Sequence, residues 1–289
     1  MQKILITGAA GKTGLAITQA VAARGAFACV LVRREAQAAV AQAHGASSVI
    51  VGDMEDAATL RLALADCHAV YHICPNMHPQ EEAMAERLLA AAREMGVRHI
   101  VYHSVLHPQA EAMPHHWRKM RVEEQLFTRG IPFTILQPCA YMQNIRGGWA
   151  GIEAEGVYRV PYPVTTRLSL VHLADVADVA ARVLTQPGHE GAIYELVGTP
   201  GLAQTDVAAA LSRALGRVVR AVELPLVDWE ARARASGLRG YTLDTLRRMF
   251  RYYADYGMVG NPAVLTMLLG RAPTSLDAYC AELAARREE

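Results

Sequence analysis

The sequence has no marked excess of charge, few aromatic side chains and no long apolar run. Its 29 lysines and arginines balance 28 acidic residues, so it lacks the basic surface with which a nucleic-acid-binding protein displaces counterions. The sequence has no stretch of about 18 uncharged apolar residues, which argues against a transmembrane helix. The five cysteines are scattered and form no Cys-x-x-Cys pair, which is typical of a reduced protein. We therefore expect a cytoplasmic protein that binds neither nucleic acid nor membrane.

What the sequence does contain is an alternation of short apolar runs with helical stretches that end in glycine. Lys3–Thr7 and Phe27–Val32 are typical of buried strands, and Lys12–Arg24 between them is typical of a helix. Glycines at positions 25, 45, 96 and 130 follow predicted helices, where left-handed C-caps require them. Apolar strands joined by helices predict a parallel sheet covered on both faces. The expected fold class is α/β, a doubly wound parallel sheet of the Rossmann type with a smaller, mostly helical C-terminal lobe.

The pattern becomes less regular after Tyr141. Glycines and prolines between residues 147 and 163 predict a loop-rich stretch. A strand end and helix over Val171–Leu184 and a strand over Ala192–Val197 follow. We predict two domains, a Rossmann core over residues 1–145 and a C-terminal lobe over residues 146–289, from which some segments return to the core sheet.

A glycine-rich loop, residues 7–14, follows the first predicted strand and opens the first predicted helix. In this position free N–H groups and the positive end of the helix dipole attract phosphate. Gly8 permits the tight turn, Gly11 lets the backbone approach a pyrophosphate, and Gly14 lets the helix pack on the strand. An ordinary turn that uses glycine only for geometry is the alternative. The residues predicted to contact a dinucleotide here are Gly8, Ala10, Gly11, Lys12, Thr13 and Gly14.

The end of the second predicted strand indicates which dinucleotide to expect. A site that prefers NAD places Asp or Glu there, about 20 residues past the loop, to bind the ribose 2′-hydroxyl. Here the strand ends in Arg33 and Arg34, whose guanidinium groups match a 2′-phosphate in geometry and charge. We therefore predict NADP(H) as cofactor. NAD(H) is the less favoured alternative, which stays open because Glu35 is also close enough to contact a ribose. Two solvated arginines at a helix start are the alternative.

Several segments resemble the NmrA-like family of atypical short-chain dehydrogenase/reductases, and the likeness covers nearly the whole length. They are residues 8–14, 51–54 (Val-Gly-Asp-Met), 130–138 leading to 141–144 (Tyr-Met-Gln-Asn), 175–180 and 268–276. Members of this family include NAD(P)H-dependent reductases of quinones, dyes and other conjugated acceptors. Others are dinucleotide sensors that no longer perform chemistry and instead bind regulators.

The resemblance implies further contacts with the cofactor. They are Asp53 and Met54 near the adenine, Cys74 and Pro75 at the end of the fourth strand, and Pro138, Cys139 and Ala140 toward the nicotinamide. Loop geometry and burial are the alternative explanation for Pro138 and Cys139.

The catalytic residues expected here differ from the Tyr-x-x-x-Lys of ordinary short-chain dehydrogenases, because no lysine has a tyrosine four residues before it. Lys119 instead follows His115 at this spacing, and residues i and i+4 share a helix face. Lysine is rare in this sequence and occurs at positions 3, 12 and 119. The other 26 of the 29 lysines and arginines are arginine. We predict Lys119 as a cofactor-binding and catalytic residue, and His115 as a general acid or base with a pKa near neutrality. A solvated helix edge is the alternative, since Arg118, Arg121, Glu123 and Glu124 are nearby.

No metal site and no serine nucleophile are predicted. Spacing does not assemble three or four metal ligands from the histidines and cysteines. Ser104 lacks the flanking glycines of a nucleophile elbow and is expected in a substrate pocket at the end of the fifth strand. The other residues predicted in that pocket, where they would close the cleft, are Tyr141, Asn144 and Trp149.

The sequence therefore predicts an NADPH-dependent oxidoreductase that transfers hydride to a small conjugated acceptor such as a quinone, enone or imine. Such acceptors delocalise the incoming charge, so a strong tyrosine acid is not required. The C-terminal lobe is expected to bind this substrate. The missing tyrosine favours the alternative, a non-enzymatic NADP(H)-sensing regulatory protein that binds a protein partner.

Overall fold

The computed structural model of the chain describes residues 2–285 and is built around a seven-stranded sheet. The strands are β1 (Lys3–Ile6), β2 (Phe27–Val32), β3 (Ser48–Val51), β4 (Ala69–His72), β5 (His99–His103), β6 (Phe133–Pro138), β7 (Ala140–Tyr141), β8 (Val157–Val160), β9 (Leu170–Val171), β10 (Ile193–Leu196) and β11 (Arg220–Glu223). The order in the large sheet is β10-β6-β5-β4-β1-β2-β3, and neighbours from β6 to β3 run parallel. The order reverses between β1 and β4, which is where doubly wound folds bind ligands.

Helices connect these strands and continue after the last of them. They are α1 (Lys12–Ala23), α2 (Ala38–Ala43), α3 (Ala57–Leu64), α4 (Glu81–Glu94), α5 (Pro114–Thr128), α6 (Trp149–Glu155), α7 (Leu173–Thr185), α8 (Gln204–Leu215), α9 (Leu226–Ala235), α10 (Gly240–Tyr256), α11 (Ala263–Leu269) and α12 (Leu276–Ala285). Short 3-10 helices cover Glu35–Gln37 and Met142–Gly148. Within residues 2–285, no helix has both the length and the apolar character needed to cross a membrane.

The predicted fold class, a doubly wound α/β sheet, is confirmed, and its cause lies in the strand sequences. Strands β1 and β2 are almost entirely buried because apolar side chains occupy both faces. The glycines at positions 25, 45, 96 and 130 have φ values of 76°, 90°, 71° and 68°. They end helices in the left-handed conformation that glycine adopts without strain.

The prediction of a loop-rich stretch over residues 147–163 is wrong. This region contains part of a 3-10 helix, all of α6 and strand β8. Ile152 in α6 is buried, and so are Val157 and Val160 at the ends of β8. Burial of these apolar side chains outweighs the low helix propensity of the nearby glycines.

Contacts divide the chain into two compact units. The first unit comprises the chain up to Ala110, with His115–Gln137 and Val176–Tyr194; the second comprises Glu111–Pro114, Pro138–Asp175 and the chain from Glu195. Each unit has a buried apolar cluster, centred on strands and helices α3 to α5 in the first and on α8 and α12 in the second. The predicted division into residues 1–145 and 146–289 stays a prediction, and Met1 and residues 286–289 lie outside the described residues.

Candidate functional site

The glycine-rich loop joins β1 to α1 at the edge formed by the C-terminal ends of the parallel strands. Gly8 has a φ of +62°, and a Cβ there would lie 3.0 Å from both the Cβ and the carbonyl oxygen of Ile73. A Cβ on Gly14 would lie 2.6 Å from Ala9 Cα and would also clash with the Gly8 carbonyl. The protein's own packing therefore requires glycine at both positions, for the turn and for the contact of helix with strand.

Gly11 differs from these two glycines because the space beside it is open. Among the described atoms, a Cβ on Gly11 would meet only the Gly8 carbonyl oxygen, at 3.4 Å. Gly11 is the N-cap of α1 and has no side chain to bond the first N–H groups of the helix. Gly11 and Lys12 are exposed, and Ala10 and Thr13 are half-buried. The loop thus presents an exposed helix N-terminus with room for a phosphate.

A cavity of about 600 Å³ lies beyond the ends of β2 and β3, lined by Arg33, Arg34, Gln37 and Asp53. Gln37 Oε1 accepts hydrogen bonds from the backbone N–H groups of Arg33 and Arg34, at 3.1 and 3.0 Å, which fixes this turn. Arg33 Nη2 lies 3.6 Å from Asp53 Oδ2, and their side chains are 70% and 47% exposed. An ion pair this exposed contributes about 0–1 kcal/mol. An anionic ligand can therefore compete for the guanidinium.

Three more residues predicted to contact the cofactor are largely enclosed by protein. Met54 and Cys74 belong to the buried apolar cluster of the first unit. Cys74 Sγ lies 3.9 Å from Met84 Sδ, and burial raises the pKa of the thiol. Pro75 is half-buried. Packing accounts for the burial of Met54 and Cys74, and their contacts with a cofactor stay predictions.

A buried ion pair joins α5 to α4. Lys119 Nζ lies 2.7 Å from Glu81 Oε1 and donates a second hydrogen bond, of 3.1 Å, to the carbonyl oxygen of His103. The Tyr102 hydroxyl donates to the same Glu81 oxygen at 2.9 Å. Nζ lies 5.4 Å from the centre of the Tyr102 ring, whose π face attracts cations. Lys119 is thus held by three residues from two other elements.

His115 lies one turn before Lys119 on α5, as its spacing predicts, but it is buried. It is 6% exposed, and its ring meets that of His116 at a centroid distance of 4.5 Å. Its Nδ1 has no hydrogen-bond partner within residues 2–285. Burial, with His116 and Lys119 nearby, lowers the pKa of His115 to about 2. This corrects the expected pKa near neutrality, and any role in proton transfer stays a prediction for a neutral ring.

Ser104 belongs to a buried polar network that the sequence did not predict. Its Oγ donates a hydrogen bond to Glu123 Oε1, and Gln137 Nε2 donates to both oxygens of that carboxylate, at 3.0 and 3.1 Å. Glu123 is 3% exposed and therefore does not lie on a solvated edge of the helix. Burial raises the pKa of Glu123, although the hydrogen bonds from Ser104 and Gln137 and the charge of Lys119 act in the opposite direction. One signal was present, since Glu123 follows Lys119 by four residues on the same helix.

The second unit holds the residues predicted toward the nicotinamide. Pro138 is buried at the end of β6, and Ala140 lies in β7, which pairs in parallel with β9. Cys139 is 4% exposed, and its N–H donates to the carbonyl oxygen of Leu196 at 3.1 Å. Burial raises the pKa of Cys139 to about 12, so the thiol is protonated at neutral pH.

The remaining residues predicted in the substrate pocket, apart from Ser104, also lie in the second unit. Tyr141 is half-buried in β7, and Asn144 is exposed on the 3-10 helix Met142–Gly148. Trp149 begins α6 and packs against the buried cluster of this unit. That packing accounts for the partial burial of Trp149. Their contacts with a substrate stay predictions. No group of three His, Cys, Asp or Glu side chains suited to a metal ion occurs among the described residues.

Comparison with known proteins identifies relatives over most of the chain. The model of the NmrA-like family matches residues 1–283. An NAD(P)H azoreductase from Xenophilus azovorans is 28% identical over 249 residues, which cover 86% of each chain. A (4-alkanoyl-5-oxo-2,5-dihydrofuran-3-yl)methyl phosphate reductase from Streptomyces griseus is 34% identical over 225 residues, 76% of this chain and 77% of the relative.

The fold of this chain is also similar to that of solved structures. The structure of an NADPH-dependent quinone oxidoreductase from Escherichia coli, complexed with NADPH, matches with a TM-score of 0.84 at 27% identity. The match covers 99% of this chain and 100% of that one. The resemblance predicted from the motifs is therefore confirmed, and the chain belongs to the NmrA-like family.

Proposed function

We propose that this protein is a reductase that takes hydride from NADPH and transfers it to a small conjugated acceptor. The observation that carries the choice of cofactor is the cavity with Arg33 and Arg34, in the same unit as the open loop at Gly11. The helix N-terminus suits a pyrophosphate, and the two guanidinium groups suit the 2′-phosphate that distinguishes NADPH from NADH. NADPH, when bound, supplies the hydride.

The names of the relatives support a conjugated acceptor. One reduces azo compounds, one a quinone, and one a 5-oxo-2,5-dihydrofuran, in which a ring double bond adjoins a carbonyl. All three electrophiles spread the charge of an incoming hydride over several atoms. The protein's main contributions are then orientation and electrostatics, which agrees with the absence of tyrosine four residues before Lys119.

The residues of this chain are assigned corresponding roles. Lys119 binds the ribose at the nicotinamide end, and Asp53 and Met54 lie near the adenine. Ser104, at the C-terminal edge of the sheet, contacts the acceptor. His115 contributes a neutral imidazole, since burial lowers its pKa to about 2.

Stopped-flow measurement of NADPH oxidation tests the proposal. The panel of acceptors contains a quinone, an enone, an imine and an azo dye, each mixed with the protein and bound NADPH. We expect rapid oxidation with at least one of them, and tighter binding of NADPH than of NADH. Binding without oxidation by any acceptor would favour the non-enzymatic sensor, and equal affinity for the two dinucleotides would contradict the role of the arginines.

A further inference from the structure

Glu81 is a buried carboxylate that none of the assignments above uses for binding. It begins α4, and 1% of its side chain is exposed. Its Oε1 accepts hydrogen bonds from Lys119 Nζ at 2.7 Å and from the Tyr102 hydroxyl at 2.9 Å. A charge this deeply buried is unfavourable unless an opposite charge and hydrogen bonds replace the lost water. Lys119 and Tyr102 supply both.

Within residues 2–285, the more accessible member of the ion pair is Lys119, whose side chain is 14% exposed against 1% for Glu81. An ammonium group has three hydrogens. Among the described residues, hydrogen bonds to Glu81 and to the His103 carbonyl use two of them. His103 ends β5, and the C-terminal ends of such strands form the edge where these folds bind ligands. The third hydrogen remains for a ligand at that edge.

The presence of lysine, and not arginine, at position 119 supports a role beyond ion pairing. The chain has three lysines and 26 arginines, and exposed carboxylates elsewhere pair with arginine, as in Arg61–Glu94 and Arg213–Asp277. Arginine is always charged and bonds through a planar fork, whereas the charge on a buried lysine depends on its neighbours. At Lys119, the neighbouring carboxylate therefore stabilises the charged form of the side chain.

We propose that Glu81 is a positioning residue, which keeps the Lys119 ammonium charged and leaves one of its N–H groups for the ribose hydroxyls of NADPH. Glu81 does not touch the cofactor, and Tyr102 assists by holding the same carboxylate oxygen. This inference rests on the proposed use of NADPH. It makes cofactor affinity at alkaline pH depend on a side chain that the cofactor does not contact.

The other titratable groups around Lys119 do not replace this carboxylate. They are His72, Cys74, His103, His115, His116 and Glu123. Burial keeps the histidines and the thiol neutral, lowering the pKa of each histidine and raising that of Cys74. Burial also raises the pKa of Glu123, whose oxygens are already bonded to Ser104 and Gln137. Glu81 is the carboxylate in direct contact with the ammonium.

The substitution Glu81→Gln tests the inference, because it removes the charge and keeps the size. The Kd of NADPH is measured by cofactor fluorescence from about pH 7 to about pH 9.5, where an ordinary lysine is still mostly protonated. We expect a nearly constant Kd in the parent. In Glu81→Gln the ammonium has no charged partner, and its partial burial then disfavours the charged form, so the Kd should increase about tenfold or more at the alkaline end. Adding Lys119→Arg to Glu81→Gln should remove this pH dependence, because arginine stays charged.

The outcomes separate the two proposals. Failure of the parent to bind NADPH overturns the proposed function itself. A parent that binds NADPH, with a Glu81→Gln variant whose Kd is unchanged or is weakened equally at every pH, overturns the positioning role. Circular dichroism and thermal denaturation verify the fold. If Glu81→Gln does not fold, Glu81→Asp decides the matter, since it keeps the charge and moves it away from Lys119 by the length of one methylene group. An increase in the Kd of NADPH that grows with pH supports the role, even if it is smaller. An equal increase in Kd at every pH overturns it.

Discussion

Two cationic regions of the first unit are built in opposite ways. Arg33 is 70% exposed and lies 3.6 Å from an exposed carboxylate, whereas Lys119 is 14% exposed and lies 2.7 Å from one that is 1% exposed. An exposed guanidinium can exchange its partner for a ligand's phosphate at little cost. A buried ammonium cannot, because the carboxylate left behind would be unpaired in a medium of low polarity. The arginines are therefore suited to gain binding energy from the ligand, and Lys119 to keep a fixed position before the ligand arrives.

The largest expected effect is on stability, at the buried pair. Lys119→Met leaves the Glu81 carboxylate without its opposite charge, and it should lower the free energy of unfolding by about 3–5 kcal/mol. Urea denaturation measures this. The double variant with Glu81→Gln should recover most of the loss, because no unpaired charge remains. Arg33→Met is the matched control and should change stability by less than about 0.5 kcal/mol. Equal destabilisation by the two single variants would contradict the contrast between the regions.

The second effect concerns binding at the loop, without any change of charge. Gly11→Val fills the space where the backbone would approach a pyrophosphate, and it should weaken NADPH binding by about 100-fold or more. The fold should persist, since a Cβ there meets only the Gly8 carbonyl oxygen, at 3.4 Å, among the described atoms. Gly147→Val is the control, because a Cβ at Gly147 has no described atom within 4 Å. A Gly11→Val protein that saturating NADPH stabilises against heat as much as the parent would rule this out.

The third effect tests the exposed arginines directly. Charge-assisted hydrogen bonds contribute about 1.5–3 kcal/mol each, so Arg33→Ala with Arg34→Ala should weaken NADPH binding by at least about tenfold. Affinity for NADH should change little, because it has no 2′-phosphate. Titration calorimetry measures both. The control is Arg61→Ala with Arg213→Ala, which removes two exposed arginines paired with carboxylates elsewhere. A similar loss of affinity for both dinucleotides would show that the arginines act through something other than that phosphate.

The same contrast explains what the sequence could predict. The bounds of β2 were predicted correctly, and the arginines and the loop at Gly11 lie in local patterns that the sequence displays. Glu81 does not, since Gln-Glu-Glu at a helix start is typical of an ordinary exposed first turn. Its partners are 21 and 38 residues away, and only the packing of α4 against β5 and α5 reveals the pair.

Glu123 was missed for the same reason. In sequence it is one of several charged residues on α5, and nothing local shows that Ser104, 19 residues earlier, and Gln137, 14 residues later, enclose it. The helix over residues 149–155 was missed because glycine spacing predicts a loop, whereas the burial of Ile152 depends on residues far along the chain. Contacts between distant segments thus account for the errors in both the fold and the site.

The smallest expected effect is the response of stability to acid, which depends on the buried histidines around Lys119. Burial lowers the pKa of His72 and His103 to about 3, of His115 to about 2 and of His116 to about 4. The unfolded chain binds protons at these rings near the ordinary value of about 6.5, whereas the folded chain does not. Their contribution to stability is therefore complete above that pH and is lost progressively as pH falls toward the folded-state values.

His115→Phe should therefore make stability less sensitive to acid. It removes one such ring, and it should reduce the fall in unfolding free energy below about pH 6 by on the order of 1 kcal/mol per pH unit. At neutral pH it should cost little, because the His115 Nδ1 has no partner within residues 2–285 that the substitution would strand. Denaturation at a series of pH values measures how steeply the free energy of unfolding depends on pH. The control position is His44, whose Nδ1 forms an exposed hydrogen bond with the carbonyl oxygen of Val40. Single-turnover oxidation of NADPH by the parent should likewise show no titration near neutrality from this residue. A rate that falls around pH 6.5 in the parent but not in His115→Phe would mean that the ring is protonated in the working enzyme, and that the interior around Lys119 is more polar than its burial implies.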